Sequence, residues 1–264
     1  MKKNLSIKLT ESAMMIALAT ILSFIKLANL PYGGSITIAS MLPIVIIAIR
    51  HGAPWGIFTG IVHGTLQLIL DPGPLSYFSS GLSVAAIIIL DYILAFGLMG
   101  LAGLAKKAKD PCAAICIGAA LAGIFRYLCH VASGATVWAG LSIPTSAALA
   151  YSFVYNATYM LPETLILIIT AYFVASSLDF RANRLAPAKK NGRKISIFSV
   201  LSLASFAGAL IFDIATVFAK LQNGETGEFD ITGITSVNWI LVLAVTAVCF
   251  ALGAVMLLVA KRKK

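Results

Sequence analysis

Eight apolar stretches dominate this chain, near residues 11–29, 36–49, 53–70, 78–104, 112–137, 146–176, 195–219 and 238–260. A helix needs about 20 mainly apolar residues to cross roughly 30 Å of hydrocarbon, and seven of the eight are long enough. The stretch at 36–49 is too short to cross unaided. Non-helical backbone survives at membrane depth only where protein neighbours satisfy it, so an irregular or tilted segment packed against other helices is expected there. Hydrophobic residues make up 59% of the 264 and charged residues 11%, which leaves no stretch with the polarity of a soluble domain. The expected fold class is an all-α integral membrane protein.

The net charge of +10 could suggest nucleic acid, but the distribution of basic residues fits a bilayer better. Most Lys and Arg fall at Lys2, Lys3, Lys8, Arg50, Lys106, Lys107, Lys109, the run from Arg181 to Lys194, and Lys261 to Lys264. With eight membrane segments these clusters lie on one side, which the positive-inside rule makes cytoplasmic. Both termini are then expected in the cytoplasm of a multi-pass plasma-membrane protein. The opposite side receives Asp71, Glu225, Glu228 and Asp230, with Lys26 and Lys220 at helix ends. No small-residue cleavage site follows the first apolar run, so the first helix is expected to persist in the mature protein.

The polar stretch around Ser177–Lys194 divides the spans into six and two. The expected domains are residues 1–180, a basic cytoplasmic linker at 181–194, and an extra two-helix segment at 195–264. Intramembrane polar residues concentrate before the linker, and the last two helices carry only Asp213 as an acidic residue at depth. In the third stretch Gly52, Gly56, Gly60 and Gly64 recur every four residues, a smooth face for close helix packing. Ala13 and Ala17 give the first helix a similar small-residue face. Cys112, Cys116, Cys129 and Cys249 lack paired CxxC spacing and read as small hydrophobes.

Charged side chains at the membrane centre cost about 2.5–3.5 kcal/mol and usually mark a functional cavity. Asp91 follows the apolar run 85–90, and an ionised carboxylate there must protonate or face a cation. Arg126 and His130, four apart, share a helix face. Two arrangements stay open: Arg126 pairs with Asp91, or Asp91 receives a cationic ligand while Arg126 is neutralised elsewhere, for example by Glu163. Tyr151, Tyr155 and Tyr159 form a stripe on the sixth span beside Asn156, and Trp138 lies two turns beyond His130. Aromatic faces above an intramembrane carboxylate favour a small, flat organic cation. His63 reads as a satisfied core histidine and His51 as surface chemistry. The three histidines are too scattered for a metal cluster. No GxxxxGK[ST] loop, HExxH helix or GxSxG elbow occurs, so neither catalysis nor ATP hydrolysis is expected of this chain, and no cofactor.

Four ordered strings, PYGGSITIASMLPI at 31–44, LDYILAFGLMGLAG at 90–103, RYLCHVASGATVWAG at 126–140 and AYSFVYNATYMLPE at 150–163, resemble the thiamine-specific (ThiT-group) S-components of energy-coupling factor (ECF) transporters. That resemblance implies a six-helix S-component bundle with a vitamin pocket near the outer face, capped by the loop between the first two helices. Two additional C-terminal transmembrane helices would lie outside that architecture. The family's pocket residues fall on Asp91, Tyr92, His130, Trp138, Tyr151 and Asn156. Some relatives carry a Glu at Asp91, and some a Trp in the capping loop near Gly34, where Tyr32 or Tyr77 is available instead. The AxxxA face at Ala13 and Ala17 becomes the docking surface for a transmembrane coupling protein, which with two ATPases would complete the importer. The implied ligand is thiamine, whose thiazolium is a permanent cation. The competing reading is a stand-alone proton-coupled transporter of a small organic cation, with Asp91, Arg126, His130 and Glu163 as relay.

Overall fold

A computed structural model describes residues 5–30, 33–77, 80–139, 145–180, 182, 186–187, 196–221 and 231–262. The chain divides into two compact units, Met1–Ala188 and Lys189–Lys264. The first contains α1 (Leu5–Phe24), α2 (Leu42–His51), α3 (Ala53–Leu70), α4 (Gly81–Lys107), α5 (Pro111–Ala139) and α6 (Thr145–Ser177). It also contains two short antiparallel ribbons, β1 (Lys26–Asn29) with β2 (Ser35–Thr37), and β3 (Leu178–Asp179) with β4 (Ala186–Pro187). The second unit holds α7 (Ile197–Phe218) and α8 (Trp239–Arg262). Among the described residues seven helices are long and apolar enough to cross a membrane, and α2 is a shorter apolar helix.

The short second stretch of the sequence finds its explanation in the β1–β2 ribbon. Thr37 at the end of β2 donates 2.8 Å to Glu163, near the middle of the 33-residue α6. The ribbon therefore reaches well into the bundle, and the 10 residues of α2, about 15 Å of helix, cover the remaining depth. Pro43 sits in its first turn, where the missing N–H costs nothing. Every residue from Leu42 to Arg50 is buried, so this short helix is surrounded by protein.

The glycine stripe of α3 packs mainly against α4. A Cβ at Gly60 would strike the Phe96 carbonyl oxygen, one at Gly64 the Tyr92 carbonyl oxygen, and one at Gly100 the Ile57 nitrogen. Gly52 does not share this role, because its Cβ position is open. Its φ of +94° ends α2 and turns the chain into α3. Ile44, Ile47, Met99, Ile115 and Leu167 fill the core between α2, α4, α5 and α6.

Arg50 and His51 are more deeply placed than a cytoplasmic turn implies. Arg50 is 4% exposed, pairs with Glu11 of α1, and donates to Phe180 O at 2.9 Å. Lys106 of α4 donates to the Arg50 carbonyl at 3.0 Å, and His51 Nε2 lies 2.7 Å from Glu11 Oε2. His51 thus belongs to a buried network joining α1 and α2, which corrects its reading as surface chemistry. His63 is buried as expected and meets Phe96 edge-on at 5.1 Å, although its Nδ1 has no hydrogen-bond partner among the described residues.

Within the second unit α7 and α8 form a hairpin tied by side chains. Ser202 and Ser205 each donate 2.8 Å to a carbonyl of α8, Gly253 and Cys249 respectively. Thr246 donates to the intramembrane carboxylate of Asp213 at 2.7 Å.

Candidate functional site

A cavity of about 160 Å³ is enclosed by α3, α4, α5, α6, the end of α1 and the β1–β2 ribbon. On the α4 side it is bordered by Ile87, Asp91, Tyr92 and Phe96. Residues Ile87–Leu94 form a π-helical stretch within α4. Its wider turn advances less per residue than an α-helix, so consecutive side chains, Asp91 and Tyr92, both face the cavity.

Asp91 is held by α5. His130 Nδ1 lies 2.7 Å from Oδ1, and Ser133 donates 2.8 Å to Oδ2. Arg126, one turn earlier on α5, does not reach it. Its Nη1 lies 3.6 Å from Glu163 Oε1, while its guanidinium stacks 4.7 Å over the Phe96 ring. Of the two arrangements open in the sequence, the structure has Arg126 with Glu163. Glu163 is buried and receives the Thr37 hydroxyl, so the ribbon, α5 and α6 meet at this carboxylate.

Helix α6 supplies the aromatic wall. Tyr155 and Tyr159 are buried and border the cavity, meeting edge-on at 5.8 Å, and Tyr159 packs 6.1 Å from His130. Tyr159 donates 2.6 Å to Asn156 Oδ1. The Asn156 amide donates to Ser152 O and to His130 O, at 2.8 and 3.2 Å, and thereby locks α6 to the turn of α5 that presents His130. Gly34 lies directly over this wall: a Cβ there would stand 2.9 Å from the Tyr155 hydroxyl oxygen and 3.1 Å from Tyr159 Cδ1. Glycine is what allows the ribbon to close so tightly.

At the mouth, Lys26 of β1 pairs with Asp71 at 3.4 Å, with 32% and 48% of their side chains exposed. The Tyr92 hydroxyl donates to the Asp71 carbonyl at 3.1 Å. One end of the cavity is thus a wet ion pair, and the other the buried Arg126–Glu163 pair.

The structure brings together Asp91, Tyr92, His130, Asn156 and Gly34 among the expected site residues. Tyr151 does not border the cavity; it stacks on Tyr155 with ring planes 5° apart. Tyr32 lies outside the described residues, as do the side chains of Tyr77 and Trp138. Ala13 and Ala17 are exposed on α1, away from the cavity. Sequence reasoning missed Ser133, Gln67 and the pairing of Lys26 with Asp71. Ser133 is three residues beyond His130 and so shares its helix face, a signal that was available.

The family model described as thiamine transporter protein (Thia_YuaJ) matches residues 9–181. Thiamine transporter ThiT of Bacillus subtilis (strain 168) is 31% identical over 172 residues, which are 61% of this chain and 85% of that protein. A solved structure of ThiT from Listeria monocytogenes matches with a TM-score of 0.54 at 26% identity, over 64% of this chain and 93% of the other. The family match stops before the second unit begins. These relatives are transporters, not enzymes.

Proposed function

The chain belongs to the thiamine transporter protein family, and from there we propose that it is the thiamine-binding S-component of an ECF-type importer. It is a multi-pass membrane protein; in this reading it captures thiamine with high affinity from the outer face and has both termini in the cytoplasm. Delivery runs through a transmembrane coupling protein and two ATPases, which supply the phosphate-binding loop this sequence lacks. Residues 1–180 carry the binding function, 181–194 form a basic linker, and 195–264 are an added pair of helices.

The observation that carries the reading is the environment of Asp91. Its carboxylate borders the cavity and is steadied by His130 and Ser133, while Arg126 stands beside Glu163 and Lys26 beside Asp71. His130 and Ser133 hold the Asp91 carboxylate at the cavity wall, where it suits a cationic ring, and the tyrosine wall adds π-faces suited to the same cation. Tyr92, His130, Asn156, Trp138 and Tyr151 complete the proposed contact set, with Gly34, Tyr32 and Tyr77 in or near the cap. Ala13 and Ala17 are assigned to coupling-protein docking, supported by their exposure beside Met14 and Leu18.

Two measurements test the proposal together. Purified protein should bind thiamine in a calorimeter without any partner. In proteoliposomes, uptake should require the coupling protein, the ATPases and ATP. Uptake by the chain alone, driven by a proton gradient, would establish the stand-alone transporter instead.

A further inference from the structure

The inner end of the cavity holds hydrogen-bond donors that the protein itself does not use. Arg126 Nε and Gln67 Nε2 are buried without a hydrogen-bond partner among the described residues, whereas Arg126 Nη1 faces Glu163 Oε1 at 3.6 Å, and both side chains border the cavity. Gln67 precedes Asp71 by one helical turn on α3, and Arg126 precedes His130 by one turn on α5. Both donors therefore lie about a turn inward from the mouth and from the Asp91–His130 pair. Buried donors left unmade are costly, above all on a charged group, and two at one end of a cavity point to an acceptor brought by the ligand.

We propose that Arg126 and Gln67 form an oxygen-binding subsite at the inner end of the cavity, and that it receives the uncharged hydroxyethyl oxygen of thiamine. This assignment rests on the thiamine reading above and adds the feature that discriminates among thiamine derivatives. The charge balance selects a neutral oxygen. Glu163, 1% exposed, already lies 3.6 Å from the guanidinium, and Asp91 stands about one turn away. Phe96 covers one face of Arg126, so its edge donors are what remain for a ligand. A phosphate ester would add close to two negative charges where Glu163 already faces the guanidinium and Asp91 borders the same cavity. An alcohol adds only lone pairs, which the guanidinium edge and the neutral Gln67 amide both satisfy. The subsite thus selects free thiamine over its phosphate esters.

The test is equilibrium binding to the purified full chain with three ligands: thiamine, its analogue bearing ethyl in place of hydroxyethyl, and thiamine monophosphate. Wild type is expected to bind thiamine at least tenfold more tightly than either of the others. In Gln67→Leu the preference for thiamine over the ethyl analogue should fall at least threefold. In the double variant Arg126→Met with Glu163→Gln, which removes both charges together, it should fall close to one. A merely structural role would weaken thiamine and the ethyl analogue alike and leave their ratio unmoved. Gln67 belongs to no ion pair, so Gln67→Leu decides the matter if the double variant does not fold. A wild-type ratio of one, or a wild-type ratio retained in Gln67→Leu, overturns the subsite; monophosphate binding as tightly as thiamine overturns its preference for a neutral oxygen. If wild type binds neither thiamine nor the ethyl analogue, the thiamine reading itself falls, and the subsite with it.

Discussion

His130 Nδ1 lies 2.7 Å from Asp91 Oδ1, so an imidazole of α5 and a carboxylate of α4 meet at the edge of the cavity. The pairing, with the Ser133 hydroxyl on the other oxygen, holds the carboxylate at the cavity wall. Arg126, which could have cancelled its charge, stands instead beside Glu163.

Asp91→Asn should therefore weaken thiamine binding at least tenfold, about 1.4 kcal/mol. The amide keeps the shape and can still accept from Ser133, but it replaces the oxygen that faces His130 with a donor, so the variant removes the charge and alters that one contact. Calorimetry on a variant with wild-type thermal stability checks this. Unchanged affinity would make Asp91 a purely structural anchor for His130.

Gly64→Ala should both destabilise the protein and weaken binding. The added methyl would press on the Tyr92 carbonyl, directly beside the cavity wall, where overpacking costs about 1–3 kcal/mol. Gly60→Ala, which presses on the Phe96 carbonyl, should destabilise similarly. Gly208→Ala in α7, where the Cβ position is open, serves as the control and should not lower the melting temperature in detergent.

Arg50→Leu should cost about 3 kcal/mol, the usual penalty for stripping one partner from a buried ion pair. Glu11 and the Phe180 carbonyl both lose a contact at once. The expected readout is early loss of α1 protection in hydrogen exchange, together with a lower melting temperature. Retained protection of α1 would show that its packing against α2 and α3 does not depend on this network.

Replacing Ala13 and Ala17 with Leu should leave thiamine binding intact and abolish uptake by the assembled importer. Neither residue touches the cavity, and both are exposed on α1, where a bulky side chain blocks close helix approach. Uptake assays at matched expression decide it, since normal accumulation would leave the alanines without a docking role.

Helix number was legible because apolar spans are written in composition. That Arg126 and His130 share a face was legible through spacing along one helix, while the grouping of Asp91 with His130 came from the resemblance of the strings at 90–103 and 126–140. Spacing does not say which helices lie opposite each other, and for that reason Arg126 remained divided between Asp91 and Glu163. The ribbon at 26–37 was hidden inside an apolar run that also suits a helix, and its Thr37 bonds to Glu163, more than a hundred residues away. The π-helical stretch is equally invisible in residues 87–94, which read as ordinary apolar helix. Gln67 escaped notice because a lone amide in an apolar span is uninformative until its neighbours are known.

Only Ile25 separates the end of α1 from the first strand of the ribbon that roofs the cavity. A single residue offers two soft dihedrals, too short a leash to let helix and roof move independently. The roof is fastened at one strand by Lys26 to Asp71 and at the other by Thr37 to Glu163. Whatever leans on α1 therefore pulls on a latch. The helix that exposes Ala13 and Ala17 is, through one residue, also the handle of the door over the cavity.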